Sequence, residues 1–152
     1  MKSIKDHLLF IAAALSLLAG PMALAHTDAV LDTMKAPNGG QQRMAGAYHF
    51  ELVFTNDTKN DPKQEKENQI LLYVTDHAGA KIATTGATGT ATIMSGKKKA
   101  TVTLLPDGDN KLKGVGKFSS GADTKVVVSI TMAGKPAEQA RFTPQAVAKH
   151  AH

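Results

Sequence analysis

Short runs of alternating apolar and polar residues, separated by turn residues, constrain the fold of this chain more than any other feature of its sequence. In residues 48–54 every second side chain is aromatic or aliphatic, which is the period of a strand with one buried face. Residues 125–132 repeat the pattern, with Val126, Val128 and Ile130 on one face. The same reasoning predicts strands at 70–75, 81–84, 90–94, 100–105, 111–118 and 139–143.

Turn signals punctuate these runs, among them Ser95-Gly96 and the segments 106–110 and 133–136. No amphipathic helical pattern interrupts the strands, which argues against a fold of alternating strands and helices. The sequence therefore predicts an all-β domain. We expect an antiparallel, immunoglobulin-like β-sandwich of seven to eight short strands.

The first 25 residues have the pattern of a secretory signal peptide. Lys2 and Lys5 precede an apolar run at 8–19, and small residues end at Ala25, where we expect cleavage. The run is shorter than the roughly 20 residues of a membrane span, so no stable membrane insertion is expected. Because removal takes two lysines and Asp6, the net charge falls from +5 to +4. The predicted location is the bacterial periplasm.

The exported chain divides into three parts by composition. Residues 26–47 are polar and predict an N-terminal arm. Residues 48–144 hold the strands of the predicted β-sandwich domain, and residues 145–152 predict a flexible C-terminal tail.

Several classes of function lack their residues in this chain. The absence of cysteine excludes thiolate metal sites, disulfides and thiol nucleophiles. No Gly-x-Ser-x-Gly motif occurs, and most carboxylates lie in turns or in the charged segment 56–68, so we expect no enzymatic activity. The lysines at 97–99 have no aromatic platform beside them, which argues against nucleic-acid binding.

Histidine is the residue type that points to a function. His26 is the predicted mature N-terminus, where the α-amine and Nδ1 can chelate one metal ion. His49 lies on the polar face of its strand with Glu51 two residues on, and Asp76-His77 ends a strand and enters a turn.

Nitrogen ligands of this kind favour copper, with zinc or nickel as alternatives. The predicted metal ligands are thus His26, His49 and His77, with Glu51 or Asp76 as a weak oxygen ligand or an acceptor that orients an imidazole ring.

Other residues with ligand atoms have weaker support. Met94 and Met132 fall in predicted strands and are expected in the core, whereas Met34 and Met44, in the arm, stay open as soft ligands. The role of His150 and His152 in the tail is left open.

Two segments carry a resemblance to a known group. The segment MAGAYHFELV at 44–53 and LYVTDH at 72–77 resemble small exported bacterial proteins that accompany heavy-metal resistance and efflux systems of the copper and cobalt–zinc–cadmium type. The similarity continues through 86–89, 105–112 and 140–144. In that group the arm opens with His-Gly-Gly, whereas this chain has Asn38-Gly39-Gly40. The resemblance implies metal handling. A more distant architectural likeness is to CopC-type periplasmic copper carriers, whose copper site uses an N-terminal histidine.

We therefore expect a periplasmic metal-binding protein, copper first, that buffers the ion or passes it to an efflux protein. The alternative is an adaptor that binds no metal and docks on an efflux or envelope protein. In that case the lysines at 97–99 and 111–117 contact acidic surfaces. Close approach of the three histidines favours the first function, and dispersed histidines favour the second.

Overall fold

The computed structural model of the chain describes residues 27–55 and 65–145. The predicted signal peptide, His26, His150 and His152 lie outside these residues. Within them the helix and strands are α1 (Asp28–Leu31), β1 (Gln41–Ala45), β2 (Tyr48–Thr55), β3 (Lys66–Thr75), β4 (Thr88–Ser95), β5 (Lys98–Pro106), β6 (Lys111–Phe118), β7 (Lys125–Thr131) and β8 (Ala137–Phe142). Among the described residues, no helix has the length and apolar character needed to cross a membrane.

All strand pairs are antiparallel, in the order β1-β2-β3-β6-β5-β4-β7-β8. The strands β4, β5 and β6 follow one another, and β7 returns to lie beside β4, which is a Greek-key connection. At the far edges β1 and β8 lie against each other, and the Thr143 amide donates to Gln41 Oε1 at 2.7 Å. The sheet is therefore nearly closed on itself, and the predicted all-β antiparallel architecture is confirmed.

Seven of the eight predicted strands are present, because period-two alternation places one face of each in the interior. Strand β6 has the predicted bounds, and β3 begins at Lys66 rather than Ile70. The largest fully buried side chains come from β2 through β8: Phe50, Leu52, Ile70, Leu72, Val74, Ile93, Leu104, Leu112, Val126, Val128, Ile130 and Phe142. These residues form one continuous core between the two halves of the folded sheet.

The prediction of a strand at 81–84 is wrong, since this segment forms a single isolated bridge between Lys81 and Thr75. The Ile82 amide still donates to the Val74 carbonyl of β3 at 3.1 Å, but the hydrogen bonds of Thr84 go to the 107–111 turn. The Thr84 hydroxyl is fully buried and lies 3.0 Å from the carbonyl of Lys111, and the Thr84 amide donates to Asp109 at 3.0 Å. The segment is thus a connection tied to the 107–111 turn.

The predicted arm contributes a strand, because Gln41–Ala45 pairs with β2. Ala45 lies opposite Tyr48, so Gly46 and Ala47 form a two-residue hairpin loop. Gly46 has a φ of +57°, as the first position of a type II′ turn requires. The sheet therefore begins at Gln41, ahead of the predicted domain start at Tyr48.

Candidate metal centre

Two of the predicted ligands, His49 and His77, lie in direct contact. His77 Nδ1 is 3.2 Å from His49 Nε2, and the ring centroids are 4.9 Å apart in an edge-on arrangement of 73°. His49 is in β2, where its partner on β3 is Thr75, and His77 follows Thr75 by two residues. The β2–β3 register and the turn after β3 therefore bring together two histidines that are far apart in the sequence.

The turn that holds His77 is built by Asp76. Asp76 Oδ1 accepts hydrogen bonds from the amides of Ala78 and Ala80, at 2.9 and 2.8 Å. The Asp76 amide donates back to the Ala80 carbonyl at 2.9 Å, and Gly79 takes a φ of +83°. The Asp76 carboxylate thus closes the turn that carries His77 through backbone amides, and its predicted roles as a ligand or as an acceptor for an imidazole ring stay predictions.

The outer face of β2 is covered, although the sequence pattern placed His49 on a polar face. His49 is 6% exposed and Glu51 is 3% exposed. Glu51 Oε1 accepts from the amides of Asn38 and Gly40, and Oε2 accepts from Asn38 Nδ2. The carboxylate therefore fastens the arm over the strand, beside the histidines.

A second contact joins the end of helix α1 to β1, within the arm. The Arg43 guanidinium donates to Asp32 Oδ1 at 2.6 Å and to Oδ2 at 3.2 Å. One turn earlier, Asp28 Oδ1 accepts the Met44 amide at 2.8 Å, and Thr27 caps helix α1. The start of the described chain accordingly lies against β1.

The separation of the two imidazole nitrogens suits a shared metal ion. With metal–nitrogen bonds of about 2.0–2.1 Å, a nitrogen separation of 3.2 Å corresponds to an angle of about 105° at the metal. This is near the tetrahedral angle, so His49 and His77 can act as neighbouring ligands after a rotation of the rings.

The pair is not part of a larger group of conventional ligands in the described part of the chain. Over residues 27–55 and 65–145, no set of three or more His, Cys, Asp or Glu side chains is arranged to hold a metal. Glu51 and Asp76, the predicted oxygen ligands, are engaged by backbone and amide donors.

A cleft of about 180 Å³ opens on the same side of the sheet. Its lining includes Glu51, Thr75 and Gly79, which adjoin the histidine pair in sequence or register, together with Tyr73 and Lys81. Neither His49 nor His77 lines this cleft, which lies beside the pair.

The sequence placed Met44 in the N-terminal arm and left it open as a soft metal ligand. In the structure Met44 is in β1, directly opposite His49. The signal that points to this position is the Gly46-Ala47 hairpin, because a two-residue loop sets the register of the strands on either side.

The fold and the site define an all-β antiparallel protein in which a histidine of β2 contacts a histidine of the turn after β3. Neither a protein-family model nor a curated protein matches the chain. Among solved structures, it is similar to a DUF4426 family protein from Pseudomonas aeruginosa PAO1, with a TM-score of 0.44 and 13% identity. That match covers 70% of this chain and 94% of the other. At this identity and TM-score the likeness assigns no ligand or activity to this chain.

Proposed function

We propose that this protein is exported to the periplasm and binds a transition-metal ion, copper first, with zinc or nickel as alternatives. It then buffers the ion or passes it to an efflux system. The function is binding rather than catalysis, and exchange of the ion takes place by exchange of ligands. The heavy-metal context comes from the resemblance of the segments at 44–53 and 72–77 to small exported proteins of resistance systems.

The observation that carries the proposal is the 3.2 Å contact between His77 Nδ1 and His49 Nε2. Imidazole nitrogens are good ligands for copper, zinc and nickel. Both histidines are held in place, His49 by burial in β2 and His77 by the turn that Asp76 closes. Two ligands whose backbones are already held side by side lose less conformational entropy on binding than two ligands on separate mobile segments.

His26 is the proposed further nitrogen ligand, through its α-amine and ring once the signal peptide is removed. The position of Asp28 supports this assignment, because its carboxylate accepts the amide of Met44 at 2.8 Å. Met44 is the β1 residue opposite His49. Asp28, two residues after His26, is thus hydrogen-bonded to the strand residue beside His49.

The immunoglobulin-like character of the sandwich belongs to the same proposal. It is supported by the strand order β2-β3-β6-β5-β4-β7-β8. An immunoglobulin sandwich has strands A, B, E and D in one sheet and C, F and G in the other. With β2 to β8 taken as A to G, the order found here is A-B-E-D followed by C-F-G. Strand β1 is then an additional strand that carries the arm.

The test is a calorimetric titration of Cu(II) and Zn(II) into tag-free protein that begins at His26. His77→Ala removes one ligand, and Lys81→Ala, an exposed residue near the same turn, is the matched control. A third form carries an extra alanine ahead of His26. We expect one-to-one, sub-micromolar binding that weakens at least about tenfold in His77→Ala and is unchanged in Lys81→Ala.

The extended form tests the amine ligand separately. Weaker Cu(II) binding in that form supports His26, and unchanged binding assigns the site to the described pair without it. Weak, multi-site binding by all forms, or binding that His77→Ala does not alter, overturns the metal-binding function.

The adaptor is the second candidate, and one surface favours it. Leu105 and Val115 are 56% and 50% exposed, and they line a groove of about 290 Å³ with Lys113. Lys111 and Lys117 lie on the same face of β6. A photo-crosslinker at Val115 in the intact cell, with and without Lys113→Glu, tests for an acidic partner. A charge-dependent adduct together with failure of the metal titration would put the adaptor first.

A further inference from the structure

Met44 adjoins the histidine pair across the β1–β2 strands. It is the direct partner of His49 in the antiparallel register. Residues in this relation project from the same face, with Cβ atoms about 4.5–5.5 Å apart. On the other side His49 faces Thr75, two residues before His77. The pair therefore has a thioether side chain beside it on one strand and a hydroxyl on the other.

The oxygen ligands near the pair are already engaged. Both oxygens of Glu51 accept hydrogen bonds from Asn38, and one of them also accepts from Gly40. Asp76 Oδ1 accepts two backbone amides of its own turn. Within the described ranges, no third His, Cys, Asp or Glu completes a metal-binding group with the pair. The register leaves Met44 as the adjoining residue with a metal-ligating atom.

Sulfur changes which ion the site prefers. Thioether sulfur is a soft ligand that suits Cu(I), whereas the usual protein ligands of Zn(II) are thiolate, imidazole and carboxylate. The Met44 side chain has three rotatable bonds, so its sulfur can adjust to an ion held by two imidazoles. Met34, in the arm, is 52% exposed and has no strand register that places it opposite His49.

We propose that Met44 is the third ligand of the His49–His77 centre and that this donor set makes it selective for a soft monovalent ion, Cu(I), for which Ag(I) is a redox-stable analogue. This inference rests on the proposed function, because it requires the two histidines to bind metal. It adds the identity of a ligand and the oxidation state of the preferred ion.

The experiment titrates silver nitrate and, separately, zinc chloride into the parent protein, Met44→Leu, Met34→Leu and His77→Ala. Leucine conserves the volume of methionine and removes the sulfur, so the fold is retained. We expect Met44→Leu to weaken Ag(I) binding about tenfold or more and to leave Zn(II) binding within about twofold. Met34→Leu is expected to match the parent for both ions.

The outcomes separate this inference from the proposed function. Ag(I) binding that is unchanged in Met44→Leu but lost in His77→Ala overturns the role of Met44 and leaves the histidine centre standing. Absence of Ag(I) and Zn(II) binding in the parent overturns both. Equal loss of both ions in Met44→Leu also overturns the selectivity.

A measurement on the unsubstituted protein does not depend on any variant. Methionine methyl groups labelled with ¹³C report directly on sulfur ligation. One equivalent of Ag(I) is expected to shift the methyl signal of Met44 and to leave that of Met34 in place. A Met44 signal that does not move overturns the inference.

Discussion

Asn38 donates both its backbone N–H and its side-chain amide to the carboxylate of Glu51, each at 2.8 Å. The Gly40 amide adds a third hydrogen bond at 3.0 Å, and Glu51 is only 3% exposed. A buried carboxylate with this many donors holds the arm on the outer face of β2, where His49 is two residues away. Glu51 therefore anchors the arm on the same face of β2 as His49, two residues along the strand.

Replacement of Glu51 by alanine is expected to destabilise the protein by about 2–3 kcal/mol, because it leaves part-buried donors without an acceptor. Glu51→Gln is expected to cost less, since one amide oxygen can still accept the two backbone N–H groups. Urea denaturation measures the free energy of unfolding. Glu67→Ala, an exposed glutamate in β3, is the control and is expected to change it by less than about 0.5 kcal/mol.

Hydrogen exchange gives the same prediction a local readout. In Glu51→Ala the amides of Asn38 and Gly40 are expected to lose protection while the amides of β7 keep theirs. Equal exchange rates for the Asn38 amide in parent and variant would show that the arm does not depend on Glu51.

Arg43 gives a second test of how the arm is held. Its side chain is 9% exposed and makes a two-pronged contact with Asp32. Arg43→Lys is expected to cost about 1–2 kcal/mol of unfolding free energy, because a lysine ammonium cannot reproduce the fork geometry. Thermal or urea denaturation checks this against Arg141→Lys, where the parent arginine is exposed on β8. Equal losses at the two positions would refute a special role for Arg43.

The strands were predictable because their pattern is local. The alternation in 48–54 and 125–132 places apolar side chains on one face and mostly polar side chains on the other, and it identifies β2 and β7 without knowledge of their partners. Strand β1 was missed because Gln41, Gln42 and Arg43 are polar and carry no apolar alternation. The Gly46-Ala47 loop was the available clue, since glycine at its first position favours a type II′ hairpin.

The site could be predicted only in part. His49, His77, Glu51 and Asp76 were selected from residue type and position, but the contact between the two histidines depends on the β2–β3 register. A shift of the register by one residue would move His49 to the opposite face of the sheet. The burial of Glu51 is likewise not readable from the sequence, because its contacts with Asn38 and Gly40 join segments that no local pattern relates.

Lys111 provides a prediction about charge. Its ammonium donates to Asp107 at 3.0 Å, and this hydrogen bond is the main cause that raises the pKa of Lys111 above 10.5. Asp107→Asn is expected to lower that pKa toward 10.5, as measured by NMR titration of the labelled Nζ group. Asp109→Asn, which removes the partner of Lys81, is the control and should leave the Lys111 titration in place.

The direction of the shift determines its effect on stability. Because the pKa of Lys111 is raised in the folded state, the Lys111–Asp107 pair adds to the free energy of unfolding. This contribution is fully present at pH values below the pKa of Lys111 in the unfolded chain. It is lost as the pH rises above 10.5 and through the folded pKa. A Lys111 pKa that is the same in the parent and in Asp107→Asn would contradict the assignment of Asp107 as the cause.

Asp76 offers a way to distinguish an orienting residue from a ligand. Asparagine keeps the Oδ1 acceptor for the Ala78 and Ala80 amides, whereas alanine removes it and loosens the turn that holds His77. Asp76→Asn is therefore expected to keep the Cu(II) and Ag(I) affinities within about twofold, and Asp76→Ala to weaken both about tenfold or more. Calorimetry on the two variants measures this, with hydrogen exchange of the Ala80 amide as the readout of the turn. Equal weakening in both variants, with the turn intact in Asp76→Asn, would instead make the carboxylate a direct ligand.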